Sequence, residues 1–242
     1  MTWHAREMRS MNDAEHDGLV RKLVTQTLLW LAITAALLFV PAGTLRWPEA
    51  WIFLGLWLAG GLVSGLSLAK QSPDILKERL RPPMQQAQKG WDRPLLLAIL
   101  VGWAAFHIVA GLDARYDLST VPRWLEAAGA IGFMLAIYVF HIVMRENTYA
   151  SAVVKVDTER GHKVISTGPY AWVRHPMYGG AIFYFVGAPL LLGSWYALAI
   201  GIALIGILAL RAVWEEQTLA TELAGYADYA KRVRYRMVPG VW

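Results

Sequence analysis

Six apolar runs, each close to the length of a membrane-spanning helix, constrain what this chain of 242 residues can fold into. A helix rises about 1.5 Å per residue, so roughly 20 mostly apolar residues cross a hydrocarbon core about 30 Å thick. The runs are Leu23–Val40, Ala50–Ala69, Leu95–Leu112, Ala127–Met144, Met177–Leu192 and Tyr196–Val213. Inside a bilayer no water satisfies the backbone N–H and C=O groups, so runs of this length become helices. The expectation is an all-α, polytopic membrane protein of about six transmembrane helices. Composition agrees: 56% of residues are hydrophobic and 17% charged, against about 25% charged in soluble domains. Only Gly193-Ser194-Trp195 separates the last two runs, and so short a connection folds them back as an antiparallel helical hairpin.

The net charge of +5 raises the question of nucleic acid, but the Lys and Arg fall between apolar runs instead of along one basic stripe. They report topology. Arg6, Arg9, Arg21 and Lys22 precede the first run, whereas the first loop holds only Arg46. The second loop holds Lys70, Lys77, Arg79, Arg81, Lys89 and Arg93; the third holds Arg115 and Arg123. The fourth holds Arg145, Lys155, Arg160, Lys163 and Arg174, the hairpin turn holds none, and the tail holds Lys231, Arg232, Arg234 and Arg236. Cytoplasmic loops are enriched in such residues, so both termini are expected in the cytoplasm. Trp47, Trp51, Trp91, Trp124, Trp195 and Trp214 lie near run ends, where an aromatic belt sits. The organisation expected is a cytoplasmic tail over residues 1–22, a four-helix region over 23–144 and a functional core over 145–242. Loop economy points to a bacterial inner membrane.

Cysteine is absent, which removes thiolate metal sites, disulfides and cysteine nucleophiles. There is no dinucleotide-binding or P-loop glycine motif and no His-Glu-x-x-His, so no catalytic metal is expected. Polar residues concentrate in three cytoplasmic pieces: Gln71–Pro94, Arg145–Pro176 and Trp214–Trp242. Ser72–Pro83 reads as a short interfacial amphipathic helix with a Pro-Pro stop, either an anchor or a substrate entrance. A hairpin brings the chain back to the side it left, so Arg174-His175 and Glu215-Glu216 should meet at similar depth. Arg211 lies inside an apolar run and shares a helical face with Glu215, and ionisable residues within a span are functional candidates. His107 and His141 also lie in spans, but without a partnered motif they read as interior histidines.

Arg174-His175-Pro176-Met177-Tyr178-Gly179-Gly180 resembles the R-H-P-x-Y-x-G signature of the isoprenylcysteine carboxyl methyltransferase family. Arg211 through Leu219 resembles its R-x-x-x-E-E-x-x-L element, and Gly225–Tyr229 supplies a Gly-Tyr-x-x-Tyr element. Phospholipid amine and methanethiol S-methyltransferases belong to the same broad group. The likeness covers about Asn147 to Pro239. It implies S-adenosylmethionine in a cytoplasmic pocket without a Rossmann domain. By position, His162, Lys163, Val164 and Ile165 correspond to the segment beside the cofactor. Tyr170, Arg174, His175, Pro176, Met177, Tyr178 and Tyr226 correspond to further cofactor contacts, and Glu215 to the cofactor-binding carboxylate. Arg211, Asn147 and Tyr149 fall on the substrate side, with Arg211, His175 and Glu216 in catalytic positions. Eukaryotic relatives carry Phe-Gly-x-x-Tyr where this chain has Ala224-Gly225-Tyr226, a departure that points away from a prenylated protein as acceptor.

These residue types suit that cofactor. A sulfonium and an ammonium call for a carboxylate and aromatic faces, and a carboxylate calls for cationic or N–H donors, a role that fits Arg174 or His175. The expected function is methyl transfer to a small or lipidic acceptor, carboxylate, thiol or amine, within a lipid bilayer. Two alternatives carry different expectations: an NADPH-dependent reductase resembling the steroid reductases, and a non-enzymatic membrane accessory protein.

Overall fold

The computed structural model describes residues 3–81, 88–147, 149, 153–154 and 161–242, with side chains from residue 16 onward. Pro82 and Pro83, the expected stop of the Ser72–Pro83 segment, lie outside the described residues, as do Lys155 and Arg160. Among the described residues there are eight α-helices: α1 (Trp3–Ala42), α2 (Pro48–Gln71), α3 (Pro73–Arg79), α4 (Asp92–Tyr116), α5 (Arg123–Glu146), α6 (Pro176–Leu191), α7 (Trp195–Glu222) and α8 (Tyr226–Arg232). Proline opens α2, α3 and α6, where its missing N–H leaves no internal bond unmade.

Among the described residues, five segments are long and apolar enough to cross a membrane: His16–Ala42, Pro48–Gln71, Asp92–Tyr116, Arg123–Glu146 and Trp195–Glu222. The run expected at Met177–Leu192 forms α6, a helix of 16 residues, about 24 Å long at 1.5 Å per residue. The polar N-terminal stretch is no separate element, because α1 continues through it from Trp3.

The core joins six helices. Leu38 of α1, Phe53 of α2, Phe106 of α4, Phe133 of α5, Ala188 of α6 and Ala197 of α7 pack together in it. Where α5 meets α6 the backbones nearly touch. A Cβ on Gly129 would stand 2.5 Å from the Leu191 nitrogen, and one on Gly187 would stand 2.6 Å from the Phe133 nitrogen. Small residues permit such close approach in membrane bundles, where dispersion and weak polar contacts hold helices together. His107 is a buried member of this core, its Nδ1 2.7 Å from the Trp103 carbonyl.

The α6–α7 turn is short, as the sequence demands. Ser194 caps α7 by accepting the Ala197 N–H at 3.0 Å, and its hydroxyl donates to Asp113 of α4. Asp113 also accepts from Ser119 at 2.6 Å, which pins the far end of the hairpin to α4.

At the opposite end, α3 turns Ile75 and Leu76 against Leu19 and Leu23 of α1 and Leu68 of α2. Gln26 of α1 donates to the Leu80 carbonyl at 3.2 Å. The apolar face of this short helix is thus covered by the bundle. The chain after α8 forms a strap beside the start of α6: the Arg174 N–H donates to the Tyr235 carbonyl at 2.9 Å and the His175 N–H to the Arg236 carbonyl at 2.7 Å.

Candidate active site at the base of the hairpin

His175 precedes α6 and Glu215-Glu216 lie near the end of α7, so the antiparallel hairpin sets them side by side. Arg174 Nε donates to Glu216 Oε1 at 2.7 Å, and Arg174 Nη1 donates to the carbonyls of Ala230 and Val233 at 3.1 and 3.3 Å. His175 Nε2 lies 3.1 Å from the same Glu216 oxygen. Arg236 of the strap donates to Glu216 Oε2 at 3.0 Å. One carboxylate, 12% exposed, therefore joins the loop before α6, α7 and the strap. Charge-assisted bonds of this kind are about twice as strong as neutral ones.

Glu215 is turned elsewhere. Successive helical residues point about 100° apart, and Glu215 lines a cavity that opens to solvent. Its Oε2 accepts the Tyr178 hydroxyl at 2.6 Å and lies 3.7 Å from His175 Nδ1. The His175 and Tyr178 rings stack with centroids 5.3 Å apart and planes 4° from parallel.

The opposite wall comes from the segment after α5. Asn147 donates to the Tyr170 hydroxyl at 2.8 Å and accepts the Tyr149 N–H at 2.9 Å. Tyr149 in turn stacks on His162 at 4.4 Å and donates to the Gly161 carbonyl at 3.1 Å. Tyr229 of α8 donates to the Tyr170 carbonyl at 2.8 Å. Burial pushes the Tyr170 phenol up to about 12, and burial raises Tyr226 and Tyr229 as well. All three remain neutral hydroxyls near neutral pH.

Of the residues singled out by sequence, His162, Lys163, Val164 and Ile165 line the cavity. So do Asn147, Tyr149, Tyr170, Tyr178 and Tyr226, together with Arg174, His175, Met177 and Glu215. Pro176, Arg211 and Glu216 stand outside that lining. Arg211 makes a bidentate pair with Asp92, Nε to Oδ1 at 2.7 Å and Nη2 to Oδ2 at 3.1 Å, and its guanidinium lies 5.7 Å from the centroid of the Tyr178 ring. It reaches the cavity wall through Tyr178. Among the described residues no group of three His, Cys, Asp or Glu side chains is placed to hold a metal.

Residues 125–224, from α5 through α7, match the family model described as phospholipid methyltransferase. The chain is 27% identical over 203 residues to the protein-S-isoprenylcysteine O-methyltransferase of Schizosaccharomyces pombe, covering 76% of this chain and 84% of that one. Its fold matches that of the eukaryotic intramembrane Ras methyltransferase, isoprenylcysteine carboxyl methyltransferase, with a TM-score of 0.56 at 16% identity, over 100% of this chain and 88% of that one. The chain is similar in sequence and in fold to the isoprenylcysteine methyltransferases.

The site also holds residues that sequence reasoning passed over. Asp92 is fully buried at the start of α4 and accepts from Arg211, from the Val154 N–H at 2.9 Å and from Gln88 at 2.9 Å. The available signal was Arg211 itself, since a cation within a span requires a partner. Arg236 lay within the basic tail and was counted there as topology. Arg79 lines the cavity from α3, and only the packing of α3 against the bundle brings it there.

Proposed function

We propose that this protein is an integral membrane methyltransferase that uses S-adenosylmethionine and acts on a small or lipidic acceptor. The observation that carries the reading is the character of the cavity. Glu215 is the one carboxylate among its described lining residues, set among the aromatic rings of Tyr170, Tyr178 and Tyr226. A carboxylate beside aromatic faces suits a ligand bearing a sulfonium and an ammonium.

When bound, the cofactor supplies an activated methyl group on a positively charged sulfur. Glu215, held by the Tyr178 hydroxyl, offers that charge a counter-ion. The 162–165 segment and Tyr170 would flank the adenosine. Glu216 and the strap fix Arg174 and His175, while Asp92 fixes Arg211, so the groups around the reacting centre are set before ligands arrive. Held alignment of reactants can supply roughly 7–11 kcal/mol of a barrier. Asn147, Tyr149 and, through Tyr178, Arg211 would meet the acceptor side. A carboxylate acceptor requires no base. An amine or thiol must lose a proton, and with Glu216 engaged by Arg174 and Arg236, the neutral His175 ring beside it would be the group to take it. The alternation of basic segments supports both termini in the cytoplasm, with the cavity on that face of a bacterial inner membrane.

Isothermal titration of the detergent-purified protein with S-adenosylhomocysteine and with NADPH tests the reading. Saturable binding of S-adenosylhomocysteine, lost in Glu215→Ala, is expected. Binding of NADPH alone points to a reductase, and binding of neither points to an accessory protein; either outcome refutes the proposal.

A further inference from the structure

The cavity contains a cation with no counterpart in the hydrogen-bond network around it. Arg79 lines the cavity, and its Nε and Nη2 are shut off from solvent with no hydrogen-bond partner among the described residues. The other basic side chains of the lining are differently placed. Arg174 is engaged by Glu216 and two carbonyls, His175 lies against Glu216, and Lys163 is exposed. Leaving a guanidinium desolvated and unbonded costs free energy that a bound anion would recover. Burial also holds the Arg79 guanidinium below its ordinary range, with Tyr170 and Glu78 offsetting only part of that. The Tyr226 hydroxyl is a second buried group of the lining without a partner. Folding does not explain Arg79, because α3 is seated by Ile75, Leu76 and the Gln26–Leu80 bond. A planar fork of donors matches a carboxylate in bidentate fashion.

We infer that Arg79 is the carboxylate subsite of the cavity, binding the α-carboxylate of S-adenosylmethionine while Glu215 faces its positive charges. The assignment rests on the cofactor reading above and revises one part of it, since the sequence pointed to Arg174 or His175 for the carboxylate.

The test compares S-adenosylmethionine with decarboxylated S-adenosylmethionine, which keeps the sulfonium, amine and adenosine. Wild type is expected to bind the carboxylate-bearing ligand about 10- to 100-fold more tightly, the range of a charge-assisted bidentate bond. Arg79→Gln should bring that ratio close to one, and Arg79→Lys should restore part of it. Because the readout is a ratio between two ligands on one protein, a general loss of folding weakens both and leaves it unchanged. A ratio preserved in Arg79→Gln overturns this inference and leaves the methyltransferase reading standing. So does a preserved ratio accompanied by weakened binding of a short-chain phosphatidic acid, which would assign Arg79 to an acceptor phosphate. Failure of wild type to bind S-adenosylmethionine overturns both readings together.

Discussion

Replacing Asp92 by alanine removes the carboxylate that Arg211 faces across 119 residues of sequence. The two side chains are 0% and 7% exposed, and Asp92 accepts two bonds from Arg211, one from Val154 N–H and one from Gln88. Breaking a buried pair from one side costs about 3–5 kcal/mol, because the remaining charge stays desolvated. Asp92→Asn keeps the shape and one acceptor oxygen but loses the charge, for about 1.5–3 kcal/mol. Arg211→Met should be milder than Asp92→Ala, because a stranded carboxyl can protonate and keeps its bonds from Val154 and Gln88. The double variant Asp92→Ala with Arg211→Met should be more stable than Asp92→Ala alone, as contacting residues are not additive. Equilibrium unfolding in mixed detergent–SDS micelles, followed by the fluorescence of the 12 tryptophans, measures all four. A cost under about 1 kcal/mol for Asp92→Ala, or additive costs in the double variant, would refute the reasoning.

Glu216→Ala should destabilise by about 3–5 kcal/mol in the same unfolding assay, since Arg174, His175 and Arg236 lose one shared partner; a loss comparable to an exposed-site change would contradict it. Gly179→Ala places a Cβ 2.7 Å from the Met237 carbonyl, so the strap must shift. Hydrogen exchange of residues 233–242 should rise and S-adenosylhomocysteine affinity should fall, whereas unchanged exchange would show that the strap tolerates the methyl group. Tyr170 is held near 12 by burial, against an ordinary value of 10.0. Its contribution to stability is therefore intact below pH 10 and declines as pH rises from about 10 to 12, where the unfolded chain ionises first. Thermal melts across that range should show a shallower alkaline decline in Tyr170→Phe, and superimposable profiles would contradict this.

Much of the architecture was legible because hydropathy and connection length act over short stretches of chain. Three residues between two apolar runs leave no route except a hairpin, and the hairpin makes neighbours of Arg174-His175 and Glu215-Glu216. What escaped depends on packing between distant segments. Hydropathy follows the bilayer, so it could not show that α1 extends back to Trp3 through polar sequence. The adjacent Glu215 and Glu216 read as a pair, yet helical rotation gives one to the cavity and the other to a structural network. Arg211 read as a substrate-side residue with no partner in view, and its partner is Asp92, an acid at the edge of another run. Arg79 counted as a topology charge until α3, packed under α1 and α2, carried it to the cavity.

Transfer of a radiolabelled methyl group from S-adenosylmethionine tests the central claim most directly. Membranes carrying the wild-type chain, incubated with the labelled donor and separated into lipid, thiol and volatile fractions, should accumulate label in one of them, and membranes carrying Glu215→Ala should not. Label no higher than in membranes lacking the protein, in all three fractions, would contradict the account.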